Sequence, residues 1–125
     1  FTFTARCENF LHGRADLDDT IKRLQAFEKA GADVLFAPGL PDLKTVRTVC
    51  SALSKPVNFM VGIPGRSFSV AELQEAGVRR ISLATSMHRA AMTGLYRAAM
   101  HIKEQGNFDF LNDLVSPKEL GRFLR

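Results

Sequence analysis

The stretch FTFTARCE, Phe1–Glu8, decides how the rest of the chain is interpreted. Apolar and polar side chains alternate along it, and successive residues of a strand face opposite sides of a sheet. The apolar side carries Phe1, Phe3 and Ala5, and the polar side carries Thr2, Thr4 and Arg6. Parallel α/β proteins keep ligand-binding groups where their strands end, so we predict that Arg6 faces an anionic ligand. The alternative is a half-exposed strand with Arg6 in solvent.

Length and composition predict one globular domain. The 125 residues are 46% hydrophobic and 24% charged, which is enough for a single core. The apolar runs fall far short of the roughly 20 residues that span a bilayer, and no secretory signal is visible. The chain has two cysteines, Cys7 and Cys50, and they lack the spacing of metal ligands. This suits a reducing compartment better than a disulfide scaffold. We therefore expect a cytoplasmic protein that does not enter a membrane.

The positive charge of the chain does not indicate nucleic-acid binding. Its 17 basic residues give a net charge of +4 but are spread along the sequence, with Arg79-Arg80 as the densest pair. Tryptophan is absent and Tyr96 is the single tyrosine, so aromatic platforms for bases are lacking. A mild positive charge also attracts small anionic substrates, which we expect as the partner instead.

Capping and turn residues divide the chain into four strand–helix units followed by a terminal helix. The predicted helix starts are Asp16, Asp42 or its neighbours, Ser69 with Glu72 as its capping-box partner, Thr85 or Ser86, and Ser116-Pro117. The predicted strands cover residues 1–6, 32–37, 57–61 and 79–84. Strands that alternate with helices indicate a parallel sheet.

Four units make half of a TIM-type (β/α)₈ barrel, which takes about 250 residues. The alternative is a doubly wound sheet, whose strands are apolar on both faces. Strands one, three and four here have one apolar face and one polar or small face, as where Val57 and Phe59 oppose Asn58. This pattern favours the half barrel. The chain also opens inside a strand without an initiating Met, so we expect residues 1–125 to be one half of a longer barrel domain.

Arg6 and Asn58 are the candidate site residues, because parity places both on the lumen face of the predicted barrel. Arg6 is suited to hold a carboxylate through two hydrogen bonds, and Asn58 to orient a carbonyl or hydroxyl oxygen. The alternative is that such lumen residues only satisfy each other. The loops 62–69 and 84–86 are a second candidate, a phosphate cradle after the third and fourth strands, or plain turns.

Neither a cysteine nucleophile nor a metal site is predicted within the chain. Cys7 lies beside a cation that would lower its pKa, but a small residue that fills the strand end is the simpler interpretation. The three histidines have no ligand spacing, and the acidic cluster of residues 16–19 is explained by a helix start.

Four stretches together resemble the isocitrate lyase/phosphoenolpyruvate mutase superfamily, nearest to its phosphonomutase-like and 2-methylisocitrate lyase-like branch. They are ARCENFLHGR (5–14), DDTIKRLQAFEKAGADVLFAPGL (18–40), KPVNFMVG (55–62) and SVAELQEAGVRRISLATSMHRAAM (69–92). The resemblance runs in order as far as about Gly106. It implies that the chain is the C-terminal half of a (β/α)₈ barrel, four βα units plus terminal helices, and that the N-terminal half is absent.

The resemblance also implies a function. Members make or break C–C or P–C bonds in small 2-oxo and 2-hydroxy acids with Mg²⁺. Arg6 matches the arginine that contacts the anionic group of the substrate, so it is the expected catalytic and substrate-binding residue. Asn58 matches a substrate-binding asparagine. Members commonly form tetramers with a swapped C-terminal helix, so a homo-oligomer is expected.

The chain departs from the family pattern in ways that bear on activity. The magnesium-holding aspartates and the loop with the catalytic cysteine belong to the first half, so the ligands of Mg²⁺ are expected there and the isolated 125 residues are expected to be inactive. Residues 36–39 offer neither the glutamate of the lyases nor the histidine of the mutase. Decarboxylation or another retro-aldol-like cleavage therefore stays open. So do a phosphate-binding barrel of another family and a non-catalytic half-barrel module that self-associates.

Overall fold

Strands and helices alternate through the 123 residues, 1–123, that the computed structural model describes. The elements are β1 (Thr4–Arg6), α1 (Leu17–Lys29), β2 (Val34–Phe36), α2 (Leu43–Ser51), β3 (Val57–Met60), α3 (Val70–Glu75), β4 (Arg80–Ser82), α4 (Ser86–Gln105), a 3-10 helix (Asp109–Asp113) and α5 (Pro117–Phe123). The chain divides into two compact units, Phe1–Ser86 and the part from Met87 onward.

The four strands form one parallel sheet in the order β1-β2-β3-β4. A doubly wound sheet reverses its strand order at a switch point, whereas here each strand lies beside its neighbour in sequence. The doubly wound alternative is therefore wrong. Because the connections between parallel strands are right-handed, successive neighbours carry their helices on the same side of the sheet. This α/β arrangement is that of part of a (β/α)₈ barrel.

The helix caps predicted at Asp16, Asp42 and Ser69 are confirmed. The side chain of Asp16 accepts a hydrogen bond from the N–H of Asp19 (2.9 Å), and that of Asp42 accepts from Thr45 (2.7 Å). Ser69 and Glu72 form the predicted capping box. Each cap satisfies an N–H that the first helical turn leaves unpaired, which is why these short polar residues fix where the helices begin.

The strands are shorter than predicted, most clearly at the start of the chain. β1 begins at Thr4, so Phe1 and Phe3 do not lie on the apolar side of a strand as predicted; Phe1 is fully exposed. The carbonyl oxygen of Phe3 accepts from both Asp33 and Val34, which ends the regular ladder at that residue. Alternation of residue types continues past the point where backbone pairing stops. The 3-10 helix after α4 was also missed, since no capping pattern marks it.

The core of the first unit lies between the sheet and its helices. Ala5, Leu35 and Val57 are in register across three strands and are all buried. Helices α1, α2 and α3 contribute fully buried side chains to the same cluster: Leu24, Val46, Val49 and Leu73. The face that carries Arg6 and Asn58 is the opposite one.

The part of the chain from Met87 to Phe123 has no buried residue in α4, its 3-10 helix or α5. His101 Nε2 lies 2.5 Å from Asn107 Oδ1, and the His101 ring meets Phe110 edge-on at 5.9 Å between centroids. Among the described helices, none combines the length and hydropathy required to cross a membrane.

Candidate functional site

One row of four residues crosses the sheet on the face away from the core. In the strand register, Arg6 pairs with Phe36, Phe36 pairs with Asn58, and Asn58 pairs with Arg80. Residues paired in this way point to the same side of a sheet. The prediction that Arg6 and Asn58 share a face is therefore confirmed. The two ends of the row are exposed arginines, whereas Phe36 (5%) and Asn58 (1%) are buried.

Arg6 ends β1 and is held from two directions. Its guanidinium carbon lies 4.8 Å from the centre of the Phe36 ring, a cation–π contact with the neighbouring strand. Its Nη2 lies 2.5 Å from Glu8 Oε1, and both side chains are roughly half exposed, at 49% and 40%. The ring and the carboxylate restrain the guanidinium, which has five N–H donors, more than these two contacts use.

Asn58 is enclosed by hydrogen bonds within the sheet. Arg80 Nη1 donates to Asn58 Oδ1 (2.7 Å), and Asn58 Nδ2 donates to Ser82 Oγ (3.0 Å). Both ends of the amide thus have a partner, which offsets the cost of burying it. Asn58 lies on the predicted face of the sheet, but it is buried, and Arg80 is the exposed member of this pair.

The loop after β1 is fixed to α1 by Asn9. The buried Asn9 amide donates to Asp19 Oδ2 (2.8 Å) and to Thr20 Oγ1 (3.1 Å), and the Asn9 carbonyl accepts from the N–H of Arg14. The hydrogen bond from Arg23, with that from Asn9, holds the pKa of the Asp19 carboxyl below its usual value. This network keeps Glu8 and its neighbours in place beside Arg6.

A cavity of about 400 Å³ opens at this end of β1. It is lined by Arg6, Cys7, Glu8, Asn9, His12, Arg14, Arg23 and Phe27. The lining carries three arginines and one carboxylate, and Arg23 is also paired with Asp19, so a net positive charge that attracts anions remains.

The loop that follows β3 is held by hydrogen bonds of its own, contacts the loop after β2, and lies close to the start of α4. The N–H of Gly62 donates to Ser67 Oγ (2.9 Å), and Arg66 Nη1 donates to the carbonyl of Gly39 (2.8 Å) in the loop after β2. Gly62 has a φ of +111°, and a Cβ there would lie 2.6 Å from Ser86 Oγ. The Gly62 N–H is therefore already engaged, which leaves one donor fewer for a phosphate cradle, the alternative to a plain turn in this loop.

Neither cysteine has the environment of a nucleophile. Cys7 is 3% exposed and its N–H donates to the carbonyl of Phe36 (2.9 Å), as expected for a residue that fills a strand end. Cys50 packs on the helix side of the sheet, where burial raises the pKa of its thiol to about 11. Within residues 1–123, no three His, Cys, Asp or Glu side chains come together as a metal site.

Sequence reasoning missed two residues of the row, Phe36 and Arg80. Phe36 lies in a strand whose three residues are all apolar and buried, so alternation gave no signal for its face. Arg80 could have been found, because it lies on the predicted polar side of β4 and is in step with Asn58.

The fold is that of a parallel α/β protein whose face away from the helices carries two arginines, Arg6 and Arg80, in one row with Phe36 and Asn58. The sequence profile of the phosphoenolpyruvate phosphomutase family matches residues 1–103, and the chain belongs to this family. Two uncharacterised proteins of Mycobacterium tuberculosis, from two strains, are each 34% identical over 96 residues, which is 76% of this chain and 35% of theirs. The resemblance to the superfamily is confirmed.

Solved structures agree with this assignment. A candidate lyase/mutase from Burkholderia cenocepacia is 45% identical, with a TM-score of 0.89, over 99% of this chain and 45% of its own. A 2,3-dimethylmalate lyase, a member of the phosphoenolpyruvate mutase/isocitrate lyase superfamily, is 27% identical with a TM-score of 0.77 over 97% of this chain and 43% of its own. The chain thus spans about a third of the curated relatives and under half of these solved chains.

Proposed function

We propose that this chain is the C-terminal half of a Mg²⁺-dependent lyase or mutase that acts on C–C or P–C bonds of small 2-oxo or 2-hydroxy acids. The observation that carries the proposal is the row from Arg6 to Arg80 on a face opposite the helices, in a chain of this family. β1 and β4 each pair on one side only among the described residues, as expected of a sheet that further strands continue.

Arg6 is the residue we propose to contact the anionic group of the substrate. The contact with the Phe36 ring limits its motion, so a carboxylate or phosphonate would meet a guanidinium that is already restrained. With the anionic group held, the bond beside the substrate carbonyl stays aligned while it breaks. Asn58 contributes to binding from the next polar position of the same row.

The described residues do not themselves fit a magnesium site, since they bring together no set of three candidate ligands. We propose that the ligands of Mg²⁺ lie outside residues 1–123, and we derive no step through the ion. The residues of this chain account for anion binding and orientation only.

A homo-oligomer is part of the proposal. Large apolar side chains are exposed on α4 and after it, among them Met87, Leu95, Tyr96, Phe108 and Phe123. Exposed apolar surface of this extent is typical of an interaction face. Two unpaired cysteines, one of them buried, fit a reducing cytoplasm.

The test is an assay of the whole protein with Mg²⁺ and a panel that includes oxaloacetate, 2-methylisocitrate and carboxyphosphonoenolpyruvate. We expect turnover of at least one acid, and a loss of about 100-fold in kcat/KM for Arg6→Met, since truncating one partner of a hydrogen-bonded charge pair costs about 2–5 kcal/mol. Arg47→Met removes the same charge from the exposed surface of α2 and should leave kcat/KM unchanged. Equal activity of the two variants would show that Arg6 does not bind the substrate.

A further inference from the structure

Asn58 and Arg80 differ sharply in exposure although they are neighbours in the row. Asn58 is 1% exposed, whereas the Arg80 side chain reaches solvent. A ligand on this face would therefore meet the guanidinium of Arg80 before it met the amide of Asn58.

The hydrogen bonds of Asn58 fix the orientation of its amide. A guanidinium only donates, so the oxygen of the Asn58 amide must face Arg80 and its nitrogen must face Ser82. Ser82 Oγ in turn lies 3.5 Å from the carbonyl of Phe59, as a donor. The buried amide is thus fixed by the sheet on one side and presents its oxygen to Arg80 on the other.

Arg80 mirrors Arg6 at the opposite end of the row. Each arginine is anchored on a buried residue of the adjacent strand, Arg6 on the Phe36 ring and Arg80 on the Asn58 amide. Arg80 forms no ion pair within the described part of the chain, whereas Arg6 is paired with Glu8. An Arg80 with one N–H anchored and no carboxylate partner retains donors for an anion.

We propose that Arg80 is a second anion-contacting residue of the site and that Asn58 is a positioning residue, acting on the substrate through Arg80. This inference rests on the proposed function, because it concerns the same face. It replaces a direct contact between Asn58 and substrate with an indirect one.

The first test measures binding of succinate to the whole protein by calorimetry, with Mg²⁺ present. Arg80→Met should raise the Kd about tenfold, in the range of a hydrogen bond to a charged group, and Arg80→Lys should recover part of the loss. Arg79→Met is the matched control: the residue is adjacent and exposed but points to the other side of β4, so its Kd should equal that of the wild type.

The second test separates a direct from an indirect role of Asn58 by a double-mutant cycle. If Asn58 acts through Arg80, then Asn58→Ala combined with Arg80→Met weakens succinate binding no more than Arg80→Met alone. If the two losses multiply, Asn58 contacts the ligand itself and the positioning role is wrong. Should Asn58→Ala fail to fold, the comparison of Arg80→Met with Arg79→Met still decides whether Arg80 contacts the anion.

Binding and turnover give distinguishable outcomes. Equal Kd values for Arg80→Met and Arg79→Met, or no succinate binding by the wild type, overturn the role of Arg80. Succinate binding that depends on Arg80, in a protein that cleaves none of the acids, supports this role and contradicts the proposed activity.

Discussion

At the scale of single residues, the candidate site consists of charged side chains that neighbouring groups hold in place. Arg6 has an aromatic ring beneath it and a carboxylate beside it. The carboxylate of Glu8 occupies one N–H group of the guanidinium that we propose to bind the substrate. An incoming anion would have to share Arg6 with Glu8 or displace it.

Glu8→Gln is therefore expected to tighten the binding of oxalate or succinate to the whole protein. The gain should be no more than about fivefold, because half-exposed ion pairs contribute about 0–1 kcal/mol. Calorimetry gives the Kd, and Asp18→Asn removes an equal charge from the exposed first turn of α1 as the control. Weaker binding by Glu8→Gln would mean instead that Glu8 serves to hold Arg6 in place.

At the scale of elements, residues near the ends of helices position the loops at both ends of β3. Glu28, near the end of α1, accepts hydrogen bonds at Oε1 from the N–H of Ser54 (3.0 Å), the hydroxyl of Ser54 (2.6 Å) and the N–H of Lys55 (2.8 Å). It thereby holds the link between α2 and β3. At the opposite end of β3, Gly62 allows the following loop to approach Ser86.

Glu28 should make stability depend on pH in a defined direction. The hydrogen bond from the Ser54 hydroxyl is the main cause that lowers the pKa of Glu28 in the folded state. A lowered pKa stabilises the fold above the unfolded value of about 4.3 and loses that contribution as pH falls through the folded value. The free energy of unfolding, measured with urea, should therefore fall less steeply from pH 7 to pH 3 for Glu28→Gln than for the wild type. Glu75→Gln, on the exposed side of α3, should keep the wild-type slope; equal slopes for all three proteins would contradict this role.

Gly62→Ala should destabilise the fold more than Gly65→Ala. Both positions have positive φ, +111° and +71°, so both substitutions are strained, but only at Gly62 would the new Cβ meet another atom closely. Overpacking adds about 1–3 kcal/mol to the strain, measured as the difference in free energy of unfolding. Introducing Ser86→Ala removes the contacted hydroxyl and should recover part of the loss. If it recovers nothing, the strained backbone alone accounts for the effect.

At the scale of the whole molecule, the four parallel strands follow one another in sequential order. One face of their sheet packs against helices, and the other carries the row from Arg6 to Arg80. The sheet has an unpaired edge at β1 and another at β4 among the described residues. The candidate site faces away from the core that these residues build. We therefore propose that the activity belongs to a closed barrel of which this chain supplies one half.

The 125 residues by themselves are expected to show no turnover. They carry the arginines that we propose to bind the anion, but among the residues described no three candidate metal ligands come together. The measurement is an assay of the isolated chain and of the whole protein side by side, with Mg²⁺ and oxaloacetate or 2-methylisocitrate. Turnover by the isolated chain would refute the division of labour between the two halves.

Much of this architecture was predictable because it depends on local signals. Caps such as Asp16 and Ser69 satisfy N–H groups only a few residues away, so their effect is readable in the sequence. The ends of the strands were not predictable, because a strand ends where its partner stops pairing, and paired residues such as Thr4 and Val34 or Asn58 and Arg80 are distant in sequence. Phe1 and Phe3 alternate correctly and still lie outside β1.

The sequence by itself determined the parallel α/β class, the shared face of Arg6 and Asn58, and the family. Only the tertiary structure decided that Arg80 and Phe36 complete the row, that Asn58 is buried beneath an arginine, and that Glu8 is paired with Arg6. The physical reason is that alternation fixes which side of a strand a residue faces, whereas register and side-chain contacts across strands fix what it meets there.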